Sequence, residues 1–195
     1  MLRGFVGDLH FERAALYESR GEGDPAEAHW RAALGLGDSG SVYERRATLR
    51  LARGDDRGAS GDLSELIRLE PDEPRFHIQR GDLRLKTQDA AGALDDFKSA
   101  SQIGETDATL RFRMSQAQWL LEDYAGVVSN TTAGLALVPR NAGLLFFRGA
   151  AKERLGQLND ALADYSAAME EGPNATYSAA RAELLRRLGR EPEAK

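Results

Sequence analysis

The side chains best suited to nucleophilic or acid–base chemistry are three histidines, a few serines and several adjacent acidic pairs. Their spacing works against catalysis. His10, His29 and His77 lie far apart and form no His-x-x-x-His pair that one helix face could offer to a metal. Ser64, Ser99 and Ser166 have no neighbouring base to activate them. The pairs Asp55-Asp56, Asp72-Glu73 and Asp95-Asp96 fall at turns and helix starts, where negative charge complements the helix N-terminus. Cysteine is absent, which excludes disulfides and thiolate metal ligands. No catalytic residue, metal ligand or cofactor site is expected, and the chain reads as a non-enzyme.

A different charge pattern does recur. Arg46 precedes Asp62, Arg80 precedes Asp96 and Arg148 precedes Asp164, each by 16 residues. Where Met114 replaces the arginine, Asn130 replaces the aspartate, whereas Arg13 and His29 break the rule. A buried guanidinium seeks a carboxylate, so the pattern predicts a structural bridge between two helices rather than a ligand site.

The elements that carry these pairs follow from a longer period. Ala26, Ala59, Ala93, Val127 and Ala161 recur at spacings of 33 or 34. Ala33, Leu66, Ala100, Gly134 and Ala168 repeat them seven residues later, and Asp38, Pro71, Glu105, Pro139 and Pro173 end each unit. Such a period marks stacked helical hairpins, each unable to bury its apolar face alone. The fold class is therefore all-α, a solenoid of about five hairpins over 7–39, 40–73, 74–107, 108–141 and 142–174. Residues 1–6 form an N-terminal extension in which Leu2, Phe5 and Val6 fold back over the first hairpin. Residues 175–195 supply a capping helix or open a sixth, truncated repeat, and the helix-start signal at Glu191-Pro-Glu-Ala favours truncation.

Within a hairpin, small residues (Ala14, Ala47, Gly81, Gly149 and Ala182) let the helices approach, and Trp30, Leu63, Phe97 and Tyr165 fill the space between hairpins. Gly156 closes the first helix of the fifth unit in a left-handed conformation. The net charge of −5 argues against a nucleic-acid partner. No apolar run is long enough to span a membrane or to serve as a signal peptide. The expected location is cytoplasmic, or periplasmic where a leader has been removed.

Gly149, Gly156, Ala161, Tyr165, Ala168 and Pro173 together resemble the tetratricopeptide repeat family, and the resemblance covers residues 7–195. Ser115, Val127 and Gln88 depart from its pattern, making the fourth hairpin the least typical. The resemblance implies a right-handed superhelix whose concave groove is lined by first-helix positions 2, 5, 6, 9, 12 and 13. It implies a non-catalytic scaffold that holds a protein or peptide partner. The candidate contacts are Phe112, Arg113, Gln116, Trp119, Phe146 and Phe147, with Arg45 and Gln79 in the earlier repeats. The alternative for the aromatics is packing: Phe112 and Phe146 between first helices, Trp119 against Tyr124. Members that clamp a chaperone's C-terminal carboxylate carry Lys at position 5 and Asn at position 9. Position 5 here is Phe11, Glu44, Ile78, Phe112, Phe146 and Ala179, so such a co-chaperone is not expected. Two other functions fit the same repeats. One is self-assembly into a homo-oligomer through the terminal face; the other is a regulatory segment of a larger enzyme or transport assembly.

Overall fold

Every regular element among the described residues is an α-helix. The structure is a computed structural model that describes residues 2–36 and 39–190, with side chains from Val6 onward. Asp38, the side chains of Leu2 and Phe5, and the helix start expected at Glu191 lie outside the described residues. The helices are α1 (Leu2–Ser19), α2 (Gly23–Leu36), α3 (Ser39–Arg53), α4 (Asp56–Leu69), α5 (Pro74–Lys86) and α6 (Ala90–Ile103). They continue as α7 (Ala108–Leu120), α8 (Tyr124–Leu137), α9 (Ala142–Arg154), α10 (Leu158–Glu171) and α11 (Ala175–Arg187). Residues 2–6 are helical and continuous with the rest of α1.

Local chemistry sets where these helices begin and end. Asp55, Asp89 and Asp123 cap α4, α6 and α8, each accepting a hydrogen bond from the backbone N–H of a glycine three residues on. Asp107 and Asn141 cap α7 and α9 by accepting from the backbone N–H of Leu110 and Leu144, and Asn174 accepts from Thr176 at the start of α11. The turn between the two helices of a hairpin needs one left-handed residue. Gly54 and Gly156 supply it with φ of 77°. Gln88 (φ 64°) and Glu122 (φ 59°) occupy the matching places in the two turns between them and adopt it without glycine.

The chain divides into two compact units at the Leu83–Arg84 bond, inside α5. In the first unit, Phe11, Ala14, Ala26, Trp30, Ala33 and Val42 form one buried cluster. Ala47, Ala59, Leu63, Leu66, Phe76 and Leu83 form the next. In the second unit Leu135, Leu144, Leu145 and Ala168 make a cluster joined by Phe112, Phe146 and Tyr177. Ala161, Tyr165 and Leu184 continue it toward α11. Each fully buried Leu or Phe contributes roughly 1.5–3 kcal/mol, so this repeated column carries much of the stability. Ala59, Ala93, Val127 and Ala161 are all completely enclosed, as equivalent places in a repeat must be. In the fourth hairpin Val127 is accepted without exposure, and buried Ser115 donates its hydroxyl to the Arg111 carbonyl at 2.8 Å.

Two of the 16-residue pairs, Arg46 with Asp62 and Arg148 with Asp164, become bridges. Arg46 makes three hydrogen bonds to the two oxygens of buried Asp62 at 2.5–3.1 Å, and Arg50 adds a fourth at 2.8 Å. Burial works against the Arg46 charge, but the hydrogen bond and charge of Asp62 more than offset it, raising its pKa. Arg148 reaches Asp164 at 2.6 Å and Lys152 joins at 2.8 Å. Asp96 accepts from Arg84 at 2.8 Å. In the fourth hairpin the same place is neutral: the Asn130 amide donates to Gln118 at 2.7 Å and accepts from Arg111 at 3.2 Å. The first hairpin substitutes rings for charges. His10 and His29 share a hydrogen bond of 2.8 Å between their Nδ1 atoms, and Tyr17 stacks on His29.

Candidate functional site

Helix periodicity puts Phe112, Gln116 and Trp119 of α7 on one stripe, because residues three and four apart are neighbours on a helix surface. Phe147 of α9 closes against that stripe. Its ring centre lies 5.4 Å from Phe112, edge to face, and 5.1 Å from Trp119. Beside them opens a hollow of about 420 Å³, lined by Leu85, Lys86, Gln116, Trp119, Leu120 and Phe147. Such a volume is of the size that holds a ligand group of one or two side chains.

Charge stands next to the Trp119 ring. The Arg154 guanidinium stands 5.7 Å from the Trp119 ring centre and 5.4 Å from that of Tyr124, and the two rings meet edge to face at 5.3 Å. Lys86 supplies a second cation at the end of α5. Leu120 is 54% exposed, a large apolar surface left open next to the hollow.

The remaining expected contacts are distributed differently. Arg113 is half-buried on α7. Phe146, although adjacent to Phe147, turns the other way: it stacks on Tyr177 of α11 at 4.7 Å and tilts against Tyr165 of α10 at 5.3 Å. It is part of the packing between α9, α10 and α11. Arg45 sits 3.7 Å over the Phe11 ring and pairs with Asp8 at 2.8 Å and Glu12 at 3.2 Å. Those partners tie α3 to α1. Gln79 is exposed on α5 in the first unit.

Leu85, Lys86, Leu120 and Arg154 were not among the expected contacts. They share a signal, since Leu85 and Lys86 stand at positions 12 and 13 of their repeat, Trp119 and Leu120 at the same places in the next, and Arg154 at position 13 of the one after. Among the described residues no group of three or more His, Asp or Glu is placed to hold a metal ion. Nor is any helix among them long and apolar enough to cross a membrane.

No protein-family model matches the sequence. It is 30% identical to DnaJ homolog subfamily C member 3 of Gallus gallus over 159 residues, 73% of this chain and 31% of that protein. It is 33% identical to the Rattus norvegicus protein of the same name over 110 residues, 56% of this chain and 22% of that one. The chain thus spans less than a third of the length of these two relatives. Among solved structures it resembles MamA 41-end from Desulfovibrio magneticus RS-1, with a TM-score of 0.74 at 20% identity, covering 78% of this chain and 87% of that one. It also resembles YrrB, a TPR protein with an unusual peptide-binding site, with a TM-score of 0.68 at 17% identity over 76% and 77%. The first TPR of Spaghetti (RPAP3), bound to the HSP90 peptide SRMEEVD, matches with a TM-score of 0.57 at 20% identity over 60% and 94%.

Proposed function

We propose that this chain, an all-α solenoid with the tetratricopeptide-repeat fold, is a non-catalytic scaffold that holds a peptide segment of a partner protein against its first helices. The observation that carries the reading is the hollow beside Trp119 and Phe147, where apolar surface stays open although the hairpin columns are already filled. Peptide capture by a helical groove needs an apolar anchor point and a few polar contacts, and Gln116, Lys86 and Arg154 can supply the latter. Peptide binding by YrrB and by the RPAP3 repeat, on the same fold, supports the reading. The chaperone-tail mode does not carry over, because position 5 holds Phe112 and Phe146 where the clamp has lysine.

The test begins with peptides selected by display against the whole chain, followed by calorimetric titration. Trp119→Ala and Phe147→Ala are each expected to weaken binding about tenfold or more, as truncation of a central aromatic anchor does. Unchanged affinity, with helicity intact by circular dichroism, would remove this face from consideration.

A further inference from the structure

Charge on the first-helix faces is mostly neutralised from within. Arg45 is matched by Asp8 and Glu12, Arg75 by Glu44, and Arg187 by Glu153. Arg154 is not matched in this way. It is exposed, and no carboxylate of the described residues lies within ion-pair distance of it. Its contacts are instead the rings of Trp119 and Tyr124. A guanidinium resting on aromatic faces has fewer rotamers to lose when it takes a carboxylate, and ring contact leaves its N–H donors available. Lys86 lines the hollow that Trp119 borders, whose other walls are Leu85, Leu120 and Phe147, with Gln116 as the one neutral polar side chain. A mostly apolar pocket with Lys86 in its lining and Arg154 against one of its rings therefore sits in a chain whose net charge is −5.

We infer that the segment bound here carries a large aliphatic or aromatic side chain flanked by Asp or Glu. The apolar side chain enters beside Trp119, Phe147 and Leu85, and the flanking carboxylate pairs with Arg154. This rests on the peptide-holding role proposed for the same face. Its recognition point lies at positions 12 and 13, the C-terminal ends of α5, α7 and α9, so it reads an internal acidic residue next to an anchor and requires no free chain terminus.

The experiment titrates the whole chain calorimetrically with three short blocked peptides sharing a Leu-Phe centre. One has aspartates on both flanks, one has serines and one has lysines. The acidic peptide is expected to bind about tenfold or more tightly than the lysine peptide, with the serine peptide between, because like charges across an interface are penalised. Arg154→Glu, with helicity unchanged, should reverse that order, and raising the salt concentration should weaken the acidic peptide selectively. Equal affinity for all three would overturn the inference while leaving the peptide-holding role standing. No binding by any of them would overturn both. Sedimentation showing self-association that Trp119→Ala abolishes would assign the hollow to a second copy of the chain and overturn the acidic-segment inference.

Discussion

At the scale of single residues, Tyr165 joins three helices. Its ring fills the space beside Gly149, where an added Cβ would come within 2.8 Å of Tyr165 Cδ1 and 3.2 Å of the Ala161 carbonyl. Gly149→Ala is expected to cost about 1–3 kcal/mol through overpacking, read as a lower urea midpoint with unchanged slope. The Tyr165 hydroxyl donates to Glu153 at 2.8 Å, and Glu153 also pairs with Arg187. Burial first, and the bond to Glu153 second, push the phenol above its ordinary value. The unfolded chain's tyrosine ionises near pH ~10 while the folded one holds its proton to higher pH, so this contribution is complete below ~10 and fades above it. The midpoint of the native protein should fall more steeply than that of Tyr165→Phe between about pH 9 and 12. The packing role of Tyr165 was legible from its column, as was the Arg–Asp pairing. The split between Phe146 and Phe147 was not. Neighbours on a helix point about 100° apart, and which one lines the hollow depends on what the next helices place there, in this case Tyr177 of α11 against Phe146.

At the scale of elements, the turns vary more than the helices they join. The period made the helices legible, and the Asp-x-x-Gly starts of α4, α6 and α8 stand in plain view once aligned. The left-handed position was legible at Gly156, yet Gln88 and Glu122 show that the backbone geometry outlasts the residue that favours it. A side chain with a Cβ in that region carries strain of about 1–2 kcal/mol, partly offset because glycine is more disordered when unfolded. Gln88→Gly and Glu122→Gly are thus expected to raise stability by a few tenths to about 1 kcal/mol, measured by urea unfolding. Leu85, Lys86, Leu120 and Arg154, at positions 12 and 13, were missed for a related reason. An aliphatic residue near a helix end reads as core and a basic one as a match for the helix C-terminus, until a neighbouring helix leaves room beside both.

For the molecule as a whole, the buried bridges fix how damage spreads. Asp62→Ala would leave the buried Arg46 without its carboxylate, an expected loss of about 3–5 kcal/mol. Asn130→Ala removes a neutral partner of Gln118 and should cost about 1–3 kcal/mol. In a stack where each repeat touches only its neighbours, hydrogen exchange after Asp62→Ala should rise in α3 and α4 and in the adjoining α2 and α5. The two indoles divide in the same way. The chain has 2 tryptophans, one in each compact unit. Trp30 is 1% exposed inside the first core, and Trp119 borders the open hollow of the second. Intrinsic emission therefore has two separable colours, a blue component from the sealed indole and a redder one from the wetter indole. Following both through a melt would time the opening of each half of the chain without any added dye.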